Sequence, residues 1–184
     1  VYDKGYTDKT HLKIETLSGI RYLDLQLVGG KVKTAAVQMG TAMPEHERTL
    51  VLDGAHICYT PVSVGNPHAV VFVDDAETVP LTELGPKIER HKAFPDGVNA
   101  EFVQVLSENE LRMRVWERGS GITMACGTGA CASAMAAVAK GYCDYNIPIY
   151  VRLDGGTLQI VIAPDNTVTM TGPAETVYEG EVSI

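Results

Sequence analysis

Residues 122–141 read ITMACGTGACASAMAAVAKG, and this stretch decides the fold. Gly127-Thr128-Gly129 makes a poor helix interior but a good helix start, the alanine-rich run from Ala130 to Ala139 is strongly helix-forming, and Gly141 supplies a stop. A helix is therefore predicted over 127–140. Ala130, Ala132, Ala134, Ala136 and Ala137 fall on every side of it and no charge appears before Lys140, so other structure must cover it most of the way round. Cys126 then stands at its N-terminus. Unpaired N–H groups and the positive end of the helix dipole stabilise an anion there, a thiolate or a bound carboxylate. Such a place can draw a cysteine pKa toward neutrality, which predicts Cys126 as the most reactive thiol of the chain. Cys131 inside the helix, Cys58 and Cys143 read as packing residues.

Outward from the helix the pattern changes to period two. Leu23, Leu25 and Leu27 share one side of a strand that turns at Gly29-Gly30 and returns as Val32 to Met39. His56 to Val64 and His68 to Val73 read as strands around Gly65-Asn66-Pro67, and Asn99 to Leu106 pairs with Leu111 to Trp116 around SENE. Ile147 to Leu153, Thr157 to Ala163 and Thr167 to Thr171 form a meander. Leu81, Leu84 and Ile88 in LTELGPKIERH have helical spacing, interrupted by Gly85-Pro86. The fold class is α+β, an antiparallel sheet wrapped around one central helix.

Composition narrows the function. Fifteen Lys and Arg against 23 Asp and Glu give a net charge of −8 over 184 residues, and no clustered basic surface is present to meet phosphates or an anionic membrane. A small-molecule substrate fits better, with no nucleic-acid or membrane partner. No apolar run reaches bilayer length, so the chain reads as soluble. The four cysteines form no CxxC pair and follow no secretory signal, which suits reduced thiols in a cytoplasm. The opening residues VYDKG resemble a helix end closed by Gly5.

Two further groups of residues carry chemistry. In WERGSGITMACGTGA a short glycine-rich turn separates Glu117 and Arg118 from Cys126; Arg118 can grip a carboxylate with two parallel hydrogen bonds, and Glu117 can pair with an ammonium. In GNPHAV, Asn66 and His68 place an amide and an imidazole on a turn. Taken singly, each has a plain structural use: an exposed ion pair at a strand end, a turn-stabilising Asn, a satisfied His, a packed Cys.

Together the segments GNPHAVVFVDD, GVNAEFVQV and ERGSGITMACGTGACASA resemble the diaminopimelate epimerase family in order and spacing, and IETLSGI and GPAETVYEGEV extend the likeness to both ends. The resemblance implies cofactor-independent interconversion of LL- and meso-diaminopimelate in lysine and peptidoglycan-precursor synthesis, with no metal. It implies that Cys126 is one of two catalytic cysteines, that Gly127 and Thr128 offer backbone amides to the substrate carboxylate, that Asn66, Asn99, Glu117 and Arg118 bind substrate, and that His68 and Glu117 influence the thiols. It also implies two pseudo-symmetric lobes, each a sheet around a helix, with the first truncated here. The expected division is 1–57 as the remainder of the first lobe, 58–171 as a complete second lobe with helix 127–140, and 172–184 as a tail returning to the first; a homodimer is compatible with it. The family's other cysteine lies in a GNGxRC motif that does not occur in residues 1–184 and that shortly precedes a VYDKG-like segment in the family. The chain is expected to start just downstream of that motif, with an incomplete active site.

The rival readings are a proline or hydroxyproline racemase or a phenazine-pathway relative on the same fold, a non-catalytic anion-binding module, and a redox thiol site. The paired Glu117-Arg118 and the two Asn loops favour a long substrate with a second amino-acid end. The missing CxxC and phosphate-loop motifs count against redox or nucleotide chemistry.

Overall fold

The computed structural model describes residues 1–176 and 178–182, and the chain divides by its packing into two units, Val1–Gln38 with Thr171–Ile184, and Met39–Met170. In the first unit, β1 (His11–Thr16), β2 (Gly19–Val28) and β3 (Lys31–Thr41) form an antiparallel meander. Gly29 and Gly30 turn it with φ of 61° and 79°, a left-handed conformation that costs glycine little. Leu23, Leu25 and Leu27 are half-buried on one side, as their alternation predicts. Gly5 N–H donates to the Tyr2 carbonyl at 2.9 Å and Tyr6 N–H to that of Val1 at 3.0 Å. With Gly5 at φ 74° this is the paired bonding of a helix-closing turn.

The second unit follows as β4 (Met43–Pro44), β5 (Arg48–Leu52), β6 (Ala55–Ser63), β7 (Pro67–Phe72), α1 (Leu81–Glu89), β8 (Asn99–Ser107), β9 (Glu110–Glu117), β10 (Gly121–Ile122), α2 (Gly127–Ala139), β11 (Ile149–Leu153), β12 (Gly156–Ile162) and β13 (Thr167–Pro173). Its strands run in the order β13-β12-β11-β9-β8-β7-β6-β4, with β5 on β6 and β10 on β9. Most pairings are antiparallel; β7 with β8 and β9 with β11 are parallel. Residues 39–57, which the sequence reading places with the first lobe, cluster with the second unit, because β4 and β5 both pair with β6.

The sheet has a core on each face. On one lies α2, every residue from Gly129 to Val138 buried against Val62, Val70, Val103, Met113, Val151 and Ile160. Alanine makes this possible, since its small side chain lets strands approach the helix from several directions. Gly141 ends α2 as predicted: at φ 74°, its N–H bonds the Val138 carbonyl and Tyr142 N–H that of Ala137, at 3.0 and 2.9 Å. On the other face α1 packs Leu81 and Ile88 with Leu50, Tyr59, Val71 and Phe102. α1 forms despite Gly85 and Pro86, because Gly85 lies against the Trp116 ring, where a β-carbon would come within 2.4 Å. No helix among the described residues is long and apolar enough to cross a membrane.

Candidate active site

One end of the second unit's sheet collects the chemistry. Because β7 and β8 run parallel, with His68 opposite Asn99, their N-terminal ends lie side by side. The antiparallel β9 brings its C-terminal end, Glu117, to the same place. The start of α2 points there too.

Cys126 is the N-cap of α2, with extended backbone (φ −134°, ψ 106°), and its sulphur accepts the Gly129 N–H at 3.3 Å. A thiol thus fills the capping role usually taken by a hydroxyl or carboxylate oxygen. The Thr128 hydroxyl lies 3.7 Å from the same sulphur and accepts the Asn66 amide N–H at 3.3 Å. The Asn66 carbonyl is 3.0 Å from His68 Nε2, and His68 Nδ1 is 2.6 Å from Glu101 Oε1. A continuous chain from Glu101 through His68, Asn66 and Thr128 therefore ends on Cys126. His68 and Glu101 are both buried.

The environment corrects the expectation of a thiol drawn toward neutrality. Burial first, and then the Glu101 carboxylate, push Cys126 up to about 11. The Gly129 N–H and Thr128 hydroxyl pull the other way, and Glu117 adds a smaller push upward. The helix terminus acts in the predicted direction, but a thiol on a residue only 5% exposed loses more in desolvation. The packing assignment of Cys58 is corrected as well: it is exposed on β6, with Thr49 Oγ1 at 3.8 Å, whereas Cys131 and Cys143 are buried.

Asn99, Glu117 and Arg118 form a neighbouring group. The Asn99 side-chain carbonyl accepts the Arg118 backbone N–H at 2.8 Å. Glu117 accepts the Thr123 hydroxyl across the β9–β10 turn. The Arg118 side chain is exposed and donates from Nη1 to the Asp96 carbonyl at 3.1 Å. Glu89 at the end of α1 holds the turn from behind, accepting Trp116 Nε1–H at 2.7 Å and Gly119 N–H at 2.9 Å. These two bonds, the indole's first, depress its carboxyl pKa. Sequence reasoning missed Glu89 and Glu101; the signal for Glu101 was one acid set directly between the apolar Ala100 and Phe102 of GVNAEFVQV. Among the described residues no group of three or more His, Cys, Asp or Glu is placed to hold a metal ion.

The fold is shared with the probable proline racemase of Agrobacterium radiobacter K84, at a TM-score of 0.77 and 16% identity, over 100% of this chain and 64% of that one. The fold is shared as well with a hydroxyproline epimerase from Agrobacterium vitis, at a TM-score of 0.72 and 17% identity, over 94% of this chain and 60% of that one. Residues 60–177 match the family model for diaminopimelate epimerase. The chain is 48% identical to the diaminopimelate epimerase of Phocaeicola vulgatus and 47% identical to that of Bacillus licheniformis. Each alignment covers 100% of this chain and, respectively, 70% and 69% of the relative. The chain belongs to the diaminopimelate epimerase family.

Proposed function

We propose that Cys126 is one thiol of a two-thiol epimerase that inverts Cα of diaminopimelate without a cofactor. The observation that carries this reading is the hydrogen-bonded chain ending on a thiol at a buried helix N-terminus, beside two groups suited to an amino-acid substrate. Inversion needs a base on one face of Cα and an acid on the other. A thiolate takes the proton, an opposed thiol returns one, and the amides at Gly127 and Thr128 meet the negative charge that grows on the carboxylate. Asn66 and Asn99 supply amides beside the reacting centre, while Glu117 and Arg118 receive the far ammonium and carboxylate. His68 and Glu117 act on the thiol's proton. The opposed thiol belongs to the GNGxRC motif of the family resemblance, outside residues 1–184. Four free cysteines suit a reducing cytoplasm.

The test is stereoinversion in deuterium oxide by the full-length protein. LL-diaminopimelate should invert with deuterium entering at Cα, and Cys126→Ser should lower inversion by about a hundredfold or more, in the range of a lost general acid–base group. Inversion undiminished in Cys126→Ser would sink the reading; proline inversion without diaminopimelate inversion would favour the proline-racemase alternative.

A further inference from the structure

Glu101 has no part in binding or reaction as proposed above, yet its placement is costly. It lies on β8 with no exposed surface, between Ala100 and Phe102 of the core. Oε1 is held by His68 Nδ1, while Oε2 is buried without a hydrogen-bond partner. An acceptor buried unpaired costs about 1–3 kcal/mol, and more when charged. Packing alone would favour an apolar residue.

Gly129 shows what the carboxylate faces. A β-carbon there would stand 2.9 Å from Glu101 Oε1 and 3.1 Å from Cys126 Sγ. Carboxylate and sulphur thus flank the same point of the first helical turn, within about 6 Å of each other, close enough for a charge to act on the other group's ionisation. The absent side chain at 129 keeps that gap free of atoms.

We propose that Glu101 is a positioning residue for a proton: from behind His68 and Gly129 it keeps the Cys126 sulphur protonated, so that this face of the site rests loaded as the proton donor. The donor role rests on the two-thiol reading; the effect of Glu101 on the sulphur does not. The titratable groups around the sulphur are Glu101 from β8, with His68 of β7 bonded to it, Glu117 from β9 and Cys131 along α2. Both carboxylates disfavour a second negative charge, and only the Gly129 N–H and the Thr128 hydroxyl favour it. A donor must hold its proton until the carbanion forms, and a buried carboxylate behind the thiol ensures that it does.

The experiment follows iodoacetamide labelling of each cysteine in the full-length protein by peptide mass spectrometry, from about pH 7 to 11, where thiolate fraction sets the rate. Glu101→Gln keeps the size and a hydrogen bond to His68 but removes the charge. It should accelerate Cys126 labelling about tenfold near neutral pH, the effect of one pKa unit, and leave Cys131 and Cys143 unchanged. Glu101→Asp, which withdraws the charge by one methylene, should give a smaller acceleration at Cys126 alone, and it carries the test if the Gln variant does not fold. A Cys126 curve unchanged in both variants overturns the proposal. So does equal acceleration of all three buried cysteines, which would make Glu101 a packing residue. No substrate enters this readout, so its failure leaves the inversion reading untouched, and a failed inversion assay leaves this one standing.

Discussion

At the scale of single residues, the helix terminus and desolvation compete at one sulphur. One N–H bond and one hydroxyl favour the thiolate of Cys126, but burial and Glu101 outweigh them and hold the thiol up to about 11. Reactivity in the resting protein should therefore follow exposure. Cys58, exposed on β6, should be alkylated before Cys126 at neutral pH, and Cys126 labelling should rise about tenfold per pH unit, flattening only near its own pKa. Time-resolved labelling with peptide mapping checks both parts. Cys126 reacting first at neutral pH would restore the poised thiolate that the sequence suggested. A slow thiol is no obstacle to epimerisation, since an acid that has lost its proton before substrate arrives cannot donate it.

At the scale of elements, α1 holds the β9–β10 turn through a helix that its own sequence weakens. Pro86 lacks the N–H that an interior helical residue donates, and Gly85 has low helix propensity. The gain is close contact: Trp116 packs on the bare backbone of Gly85 and donates to Glu89. Gly85→Ala should raise local helix propensity by up to about 1 kcal/mol yet destabilise the protein, because overpacking against a ring costs about 1–3 kcal/mol. Urea unfolding measures the sign, and a more stable variant would refute the packing argument. The same contrast between local and distant causes governs what could be read from the sequence. The limits of α2 were legible because Gly127, the alanine run and Gly141 act within a few residues, and the hairpins because alternation and turn glycines are local signals. The parallel pairing of β7 with β8 was not, since nothing near either strand specifies a partner brought to it across α1. Cys126, Asn66, His68 and Asn99 could be read as candidates, but their convergence follows from that pairing. Glu101 stayed hidden because a lone acid in a strand looks solvent-facing until both faces of the strand are known to be buried.

At the scale of the whole molecule, a core that contains thiols ties stability to alkaline pH. Burial pushes Cys126 and Cys143 up to about 11 and Cys131 up to about 12, against 9.0 for an unperturbed thiol. Between those values the unfolded chain has lost protons that the folded chain retains, so unfolding is favoured as pH rises. The stability linked to these protons is fully present below about pH 9 and is lost as pH climbs toward 11 and beyond. Urea midpoints should fall over this window. Tyrosines and lysines titrate in it too, so the decisive quantity is a difference between slopes. Cys131→Ala lowers stability at every pH by opening a small cavity beside α2, but it removes one of the linked protons, so its midpoint should fall less steeply than that of the unsubstituted chain. Equal slopes for Cys131→Ala and the unsubstituted chain would show that the thiol deepest in the helix does not resist ionisation, and the account of Cys126 as a thiol dominated by burial would fail with it.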